Sequence, residues 1–475
     1  MTVVLAIDQG TSSTKAIVVA EDGRVLGLAE REVRPTYSAG GSVEQNPQAL
    51  LDSVLDAGRA AIAESGSRVD IVSLANQGES VLAWDQNTGA PLSNIIVWQD
   101  RRSEQICRAL EPKAALFAER TGLVLDPYFS APKQAWLRQN VTREGVVTTT
   151  DSWLIQQLTG AFVTDAATAS RSLVTDLDTT GWDSELLTLF GLHAEALPTI
   201  VASDAIAGET TAFGGSLRVG GLIVDQQAAL LAQGCLEPGE AKCTFGTGAF
   251  LLANSGTGLE SGRAPRSSAG LAASVAWSVR GETSYCFDGQ VYTAASAIRW
   301  LQQLGFINSA ADLDSVAAPD AEGVFSVPAL AGLAAPWWRP DATASFTGMT
   351  LATGKEHLIF AVLQGIAAQV AELGRLVAVD LGVPLRRLRV DGGLTQSRVL
   401  MQAVADLMQI EIDVYPSPHA TPFGAVALAK LAVDQNLRLA DAVVPWVPTT
   451  SYQPRWSADR AAEFLFRWMS IAERA

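Results

Sequence analysis

The sequence contains few of the residues that build disulfide frameworks, zinc sites and nucleic-acid surfaces. Its 475 residues include four cysteines and three histidines, and the cysteines form no C-x-x-C pair. This usage argues against a disulfide framework or a zinc site and predicts reduced thiols in a cytoplasmic protein. Lys and Arg number 34 against 50 Asp and Glu, which gives a formal net charge of −16. Without a basic excess, we expect neither nucleic acid nor an anionic membrane as a partner.

Long apolar runs and several common catalytic motifs are also missing. No apolar run approaches the ~20 residues that span a bilayer. We expect no signal peptide, because a strand pattern and an aspartate follow Met1 almost at once. The chain has no G-x-x-x-x-G-K-[ST] loop, no protein-kinase H-R-D motif and no G-x-S-x-G motif. Any nucleotide chemistry here therefore needs phosphate-binding turns of another kind.

A predicted hairpin opens the chain between Val3 and Glu21, with a turn rich in glycine and hydroxyl residues. Its first strand brings Asp8 to the turn, where a carboxylate can hold a hydrated Mg²⁺. Gly10 has no Cβ and lets a ligand approach the backbone closely. An ordinary first hairpin with a polar turn explains the same pattern equally well. On the functional reading, the candidate phosphate ligands are Thr11, Ser12, Ser13 and Lys15.

Two further predicted strands end in carboxylates. Ile71–Ala75 leads into Asn76-Gln-Gly-Glu79, and Leu222–Val224 leads into Asp225. In α/β sheets, ligands bind beyond the carboxyl ends of the strands, so both acids are candidates for a site. The alternatives are a solvated loop carboxylate for Glu79 and a helix N-cap for Asp225.

The design of the first hairpin recurs near the middle of the chain. The turn-forming sequence Leu236-Glu-Pro-Gly is a candidate domain boundary. After it, residues 241–253 again have the pattern of strand, Gly/Thr turn and strand, with Gly246 and Thr247 in the turn. Two such hairpins, each opening half of the chain, suggest an internal duplication. We therefore predict an α/β protein with domains 1–236 and 237–475. Gly392 and Gly393 follow another predicted strand, where they offer amides to a phosphate or ribose.

These segments together resemble the FGGY carbohydrate kinases, and within them the glycerol kinase branch most closely. The resemblance covers nearly the whole chain and implies two actin-like (ribonuclease H-like) ATPase domains with an active-site cleft between them. The motifs that carry it, in family order, are Asp8-Gln-Gly-Thr11, Val43-Glu44-Gln, Trp98-Gln99, Asp126-Pro-Tyr128-Phe-Ser, Asp225-Gln226-Gln, Phe245-Gly246-Thr247-Gly248 and Val390-Asp391-Gly392-Gly393.

The resemblance also implies cofactors, partners and residue roles. ATP and Mg²⁺ are the expected cofactors, and a small polyol or ketose is the expected substrate. Asp225 would be the catalytic base, and Asp8 and Asp225 would meet the metal. The second domain would contact ATP through Gly246, Thr247, Gly393 and Ser397, although the family carries Asn where this chain has Ser397. The polyol pocket would comprise Glu79, Trp98, Tyr128, Asp225, Gln226 and Phe250. A homodimer or homotetramer is the family habit.

One departure bears on the substrate. Glycerol kinases carry an arginine where this chain has Gly78, so a charged donor to substrate hydroxyls is missing and side-chain volume beside Glu79 is vacated. We therefore predict a substrate longer than glycerol, with glycerol kinase activity as the alternative. A catalytically silent sugar or nucleotide sensor on the same fold is an alternative of another class. We also expect two domains that meet only through linkers and ligand, and that close on binding.

Overall fold

The computed structural model of the protein describes residues 2–38, 41–258 and 262–475. The first half of the chain builds a mixed α/β domain. Its strands are β1 (Val4–Gln9), β2 (Ser13–Val19), β3 (Val25–Glu32), β4 (Thr36–Ser38), β5 (Ser42–Gln45), β6 (Ile71–Asn76), β7 (Val81–Trp84), β8 (Ile95–Ile96), β9 (Val146–Thr149), β10 (Val163–Asp165), β11 (Thr175–Asp176), β12 (Gly181–Trp182), β13 (Thr199–Val201), β14 (Ile206–Thr210) and β15 (Leu217–Val224). Its helices are α1 (Pro47–Ser65), α2 (Glu104–Leu110), α3 (Ala114–Thr121), α4 (Ser130–Asn140), α5 (Thr150–Thr159), α6 (Ala166–Ser170), α7 (Ser184–Leu189) and α8 (Asp225–Ala232).

The second half builds another mixed α/β domain. Its strands are β16 (Ala241–Phe245), β17 (Ala249–Gly256), β18 (Ala272–Val279), β19 (Glu282–Val291), β20 (Phe325–Val327), β21 (Ser345–Thr347), β22 (Arg387–Asp391), β23 (Glu411–Val414) and β24 (Thr450–Tyr452). Its helices are α9 (Ala295–Gln303), α10 (Leu313–Val316), α11 (Lys355–Leu381), α12 (Arg398–Met408), α13 (Ala420–Val433), α14 (Leu439–Ala442) and α15 (Ala458–Ala472). The division at residues 236 and 237 stays a prediction.

Six strands of the two central sheets have the same arrangement. The first sheet runs β14-β15-β6-β1-β2-β3, and the second, read in the same direction, runs β24-β23-β22-β16-β17-β19 with β18 as an additional edge strand. In each, an antiparallel hairpin (β1–β2 or β16–β17) is extended by a third antiparallel strand, and its first strand pairs in parallel with a later one. This repeat is the predicted pair of related domains, and the predicted fold class is confirmed.

The parallel pairing of three strands in the first sheet explains how distant residues reach one place. β1 and β15 flank β6, and Gln9 and Val224 are both in register with Asn76. All three strands are almost fully buried and aliphatic, as expected of parallel strands covered on both faces. Their carboxyl ends therefore deliver the turn after Gln9, the loop after Asn76 and the start of α8 to the same edge.

The two domains pack against each other directly, so the expectation that they meet only through linkers and ligand is wrong. Helix α13 of the second half packs against β1, β6, β15 and α8 of the first half. The crossing of α13 and α8 is very close, because a Cβ on Gly424 would lie 2.0 Å from the carbonyl oxygen of Ala228. One buried apolar cluster runs from Val4 and Ile17 through α8 and α13 into the second domain.

One helix in the described part of the chain, α11, is long and apolar enough to cross a membrane. Most of it is inside the protein, because 83% of its most apolar stretch is buried. It packs on α12 and on strands β17, β19 and β20 of the second domain. The helix is therefore a core helix of this fold, which explains its composition.

Candidate active site

A cavity of about 820 Å³ lies between the two domains, at the carboxyl ends of β1, β6 and β15. Residues of the first domain form most of its lining, and the second domain adds Thr247, Phe250 and Arg299. The predicted site residues in its wall are Thr11, Ser12, Glu79, Trp98, Tyr128, Asp225, Gln226, Thr247 and Phe250. Most of the residues singled out from the sequence therefore meet at one cleft.

The first turn presents a carboxylate, a lysine and a hydroxyl side by side. Asp8 lies directly across the hairpin from Lys15. Burial, then the charge of Asp225, raises the pKa of Asp8 to about 7, although Lys15 acts in the opposite direction. The hydroxyl of Thr11 accepts a 2.9 Å hydrogen bond from the indole of Trp98, while Ser13 donates to Glu30 at 2.6 Å. Ser13 therefore has a partner outside the cavity.

Asp225 occupies the first position of α8, and Val224 rather than Asp225 is the N-cap. Its Oδ1 accepts a 2.7 Å hydrogen bond from the amide of Gln226. Burial, then the charge of Glu79, raises the pKa of Asp225 to about 6, while Lys242 lowers it. The predicted base is thus a carboxylate with raised basicity in the wall of the cleft, as a general base near neutral pH requires.

Glu79 is held in a strained and buried position. Its φ of 56° is in the left-handed region, which few residues with a side chain adopt and which is sterically unfavourable for them. Its carboxylate pairs with Arg171, whose guanidinium also pairs with Asp288 of the second domain. Burial raises the pKa of Glu79, and Arg171 offsets part of that rise. The pairing keeps the Glu79 carboxylate fixed at the cavity wall.

Three aromatic rings form the apolar wall of the cavity. Trp98 makes edge-to-face contacts with Tyr128 and Phe250, with ring centroids 5.6 and 5.9 Å apart. Tyr128 and Trp98 belong to the first domain, while Phe250 projects from β17 of the second. Aromatic rings beside a carboxylate form a site that suits a small molecule whose carbon chain contacts the rings and whose hydroxyls bind the carboxylate.

The second domain supplies the other predicted cofactor residues. Gly246 and Thr247 form the turn between β16 and β17, opposite the first hairpin. Gly393 starts a short 3₁₀ helix after β22. Ser397 is the N-cap of α12, and its hydroxyl donates to Asp314 at 2.8 Å. Ser397 therefore already has a partner, and it does not line the cavity between the domains.

The position of Gly78 is more crowded than the sequence suggested. A Cβ built on Gly78 would lie 3.0 Å from Cγ2 of Val224 and 4.0 Å from Cδ and Nε of Arg171. Part of the volume that an arginine at this position would occupy is thus taken by Val224. Arg171 supplies a guanidinium from another element, the end of α6. The two arginines that follow Trp98 in the sequence are paired elsewhere, Arg101 with Asp126 and Arg102 with Glu44 and Asp100.

Sequence reasoning missed the buried polar residues behind the cavity wall. Lys242 is fully buried, and its ammonium donates to Gln226 Oε1 at 2.5 Å and to Thr244 at 2.9 Å. Burial lowers its pKa, and nearby Asp391 and Asp225 oppose that shift. A lysine inside an otherwise apolar strand was the signal that could have revealed it. Arg171 and Asp288 carried no comparable signal.

Comparisons with known proteins agree with this architecture. The model of the N-terminal domain of the FGGY family of carbohydrate kinases matches residues 3–231 of this chain, and the model of the C-terminal domain matches residues 241–433. The glycerol kinase of Alkalilimnicola ehrlichii is 39% identical, over 100% of this chain and 98% of that protein. The glycerol kinase of Thermus brockianus is 38% identical, over 100% of this chain and 99% of that protein.

A solved structure supports the same family, and a second one shares the fold. The Plasmodium falciparum glycerol kinase with ADP superposes with a TM-score of 0.90 at 30% identity, over 100% of this chain and 98% of that one. A ligand-bound xylulose kinase from Lactobacillus acidophilus, at 19% identity, shares the fold with a TM-score of 0.88, over 100% and 98%. The chain therefore belongs to the FGGY family of carbohydrate kinases, enzymes that phosphorylate a sugar or polyol with ATP and Mg²⁺.

Proposed function

We propose that the protein phosphorylates a terminal hydroxyl of a small polyol or ketose, with Asp225 as the general base. The observation that carries the proposal is the convergence of Asp225, Glu79 and the aromatic wall on one cavity between the domains. Oδ1 of Asp225 is held by the amide of Gln226, so we assign the proton of the substrate hydroxyl to Oδ2. Glu79 accepts from another hydroxyl and orients the substrate. Phosphoryl transfer needs mainly such positioning and charge stabilisation.

The residues present fit a nucleotide with Mg²⁺. Asp8 and Asp225 are close enough for their charges to interact unfavourably, and a divalent cation beside them would relieve that repulsion. Mg²⁺ is commonly bound by one or two carboxylates together with phosphates. Within the described ranges no group of three or more His, Cys, Asp or Glu side chains could hold a metal alone. When bound, ATP with Mg²⁺ supplies the phosphoryl group and balances its charge.

The phosphate contacts are assigned to the two facing hairpin turns. Thr11, Ser12 and Lys15 on the first hairpin and Gly246 and Thr247 on the second offer hydroxyls, amides and one ammonium. Ser13 and Ser397 already donate hydrogen bonds to Glu30 and Asp314. The cofactor roles of Ser13, Gly393 and Ser397 stay predictions. The cytoplasmic location and a homodimer or homotetramer stay predictions.

We propose a substrate longer than glycerol. Gly78 offers no side-chain donor at the position where glycerol kinases carry an arginine. Glycerol is the second candidate, supported by glycerol kinases that are 38–39% identical over the full chain.

A substrate panel tests the proposed function. Initial rates of ADP formation are measured with Mg-ATP and glycerol, erythritol, erythrulose, xylulose, ribulose, ribitol or arabitol. We expect a four- or five-carbon compound to give the highest kcat/KM. Glycerol ahead by more than tenfold would refute the longer substrate, and ADP formation at background with every compound would support the silent sensor instead.

Restoring an arginine at position 78 requires room that Val224 now occupies. We expect Gly78→Arg alone to lower kcat/KM for every substrate, because the Cβ of the new side chain would lie 3.0 Å from Cγ2 of Val224, closer than ordinary van der Waals contact. The double variant Gly78→Arg with Val224→Gly should raise kcat/KM for glycerol relative to longer compounds, because the guanidinium adds up to two charge-assisted hydrogen bonds. The matched control is Val224→Gly alone, measured on the same panel. A single Gly78→Arg variant that improves glycerol would contradict the crowding argument.

A further inference from the structure

A second, much smaller cavity lies behind the main one. It has a volume of about 20 Å³ and shares Glu79, Tyr128, Asp225, Gln226 and Phe250 with the main cavity. A single water needs roughly 10–15 Å³ measured in the same way, so the inner cavity holds one hydroxyl-sized group and not a sugar ring. Its remaining wall is built by Arg171, Val224, Gln227, Leu252 and residues 288–290.

Two buried glutamine side chains in this wall have carbonyl oxygens without a partner. Gln290 is 3% exposed and Gln227 is 1% exposed, and Oε1 of each accepts no hydrogen bond. Buried side-chain acceptors are normally paired, and leaving one unpaired costs free energy. Unpaired acceptors at the wall of a cavity therefore indicate a hydrogen-bond donor there, a water in the free protein or a hydroxyl of a bound ligand that displaces it.

The orientation of the Gln290 amide is fixed by its neighbour. Its Nε2 donates to Oδ1 of Asp288 at 2.7 Å, and the other carboxylate oxygen of Asp288 accepts from Arg171. A flipped amide would set Oε1 against the Asp288 carboxylate, so Oε1 must remain the acceptor. Gln227 is less constrained, because its Nε2 meets the hydroxyl of Ser274, at 3.4 Å. Gln290 thus presents an acceptor that cannot become a donor.

The same chain of contacts connects the inner cavity to Glu79, the carboxylate that we propose binds the substrate. Gln290 is held by Asp288, Asp288 by Arg171, and Arg171 by Glu79. Gln290 also lies directly across the β17–β19 pair from Phe250, a ring in the wall of the main cavity. A substrate hydroxyl bound at Glu79 therefore has the inner cavity as its next neighbour along the wall.

We infer that Gln290, with Gln227, forms a second hydroxyl subsite that binds the hydroxyl on a carbon beyond the third of the substrate. This inference rests on the proposed function and names the feature that selects a longer substrate. The inner cavity has room for one hydroxyl, which favours a four-carbon polyol or ketose. A three-carbon substrate that is bound at Glu79 and Asp225 leaves the Gln290 acceptor unpaired.

The test compares Gln290→Met, which keeps the shape of the side chain and removes the acceptor together with the hydrogen bond donated to Asp288, with the wild type. Two quantities are measured for erythritol, threitol, erythrulose and glycerol: kcat/KM, and the Kd of the polyol by calorimetry without ATP. We expect the preference for the best four-carbon compound over glycerol to fall by about tenfold to a hundredfold, the effect of losing one buried hydrogen bond. Gln303→Met, on the exposed face of α9, should keep the wild-type preference.

Each outcome separates the subsite from the proposed function. A preference that stays within about twofold of the wild type in Gln290→Met overturns the subsite, as does an equal loss for glycerol and the longer compound. Binding of a four-carbon compound that depends on Gln290, without ADP formation, supports the subsite and refutes the kinase reaction on that compound. If Gln290→Met does not fold, Gln227→Met addresses the second acceptor with the same measurements.

Discussion

Replacing Asp225 by asparagine is expected to lower kcat by about 10²–10⁴-fold, the usual contribution of a general base. Asparagine keeps the shape of the side chain and still accepts the hydrogen bond from the Gln226 amide, but it cannot take the proton of the substrate hydroxyl. The neutral amide also removes a charge that interacts unfavourably with Glu79 and Asp8. We therefore expect the folded protein to keep its stability and, with Asp8 and both hairpin turns intact, still to bind ATP.

The matched control for Asp225→Asn is Asp151→Asn. Asp151 is also a buried aspartate in the first turn of a helix, α5, and it lies outside both cavities. Turnover is measured by coupled ADP release, ATP binding by calorimetry, and stability by urea unfolding. An Asp225→Asn enzyme that keeps more than a tenth of wild-type kcat would exclude Asp225 as the base.

Replacing Arg171 by methionine is expected to lower the free energy of unfolding by about 3–5 kcal/mol, because it leaves two buried carboxylates without their partner. Arg171, Glu79 and Asp288 are each at most 5% exposed as side chains. Without the guanidinium, the pKa of Glu79 rises further, since burial raises it and Arg171 lowers it. Lys133 still lowers this pKa while Asp288 raises it. A protonated Glu79 loses acceptor strength, so KM for the polyol should rise at least about tenfold.

Arg138→Met separates this effect from a general loss of stability. Arg138 forms a partly buried ion pair with Glu195, at 2.6 Å, away from the cavity. We expect Arg138→Met to lower the free energy of unfolding and to keep the wild-type KM for the polyol. Arg171→Lys should recover part of the stability, because the ammonium keeps the positive charge between the two carboxylates. The recovery should be incomplete, since an ammonium pairs with fewer carboxylate oxygens than a guanidinium does. Equal KM values for Arg171→Met and the wild type would mean that Arg171 only stabilises the fold.

The convergence of Asp8, Glu79 and Asp225 could be predicted because it follows from local patterns and one rule. Each residue lies at or just beyond the carboxyl end of a short strand, and the carboxyl ends of parallel strands meet at one edge of a sheet. The two hairpin turns were predictable for a similar reason, since Gly and Thr between two strands mark a turn wherever they occur. The motif order then supplied the family.

The residues behind the wall could not be predicted, because their partners come from remote elements. Arg171 is 92 residues from Glu79 and 117 from Asp288, and the three meet only when both domains are assembled. Crowding at Gly78 likewise depends on the side chain of Val224, from a strand almost 150 residues later. Position in the sequence predicts which face a residue occupies, while side-chain contacts across domains depend on the finished packing.

The close crossing of α13 with α8 has a consequence for synthesis of the protein on the ribosome. The strands β1, β6 and β15 are complete once Val224 has been made, but their cover, α13, is not complete until Val433. An apolar face of the sheet therefore stays uncovered while roughly two hundred further residues are synthesised, and exposed hydrophobic surface favours aggregation during that time. A fragment that ends near residue 236 should accordingly bind a chaperone or aggregate, and supplying residues 237–475 as a second chain should rescue it.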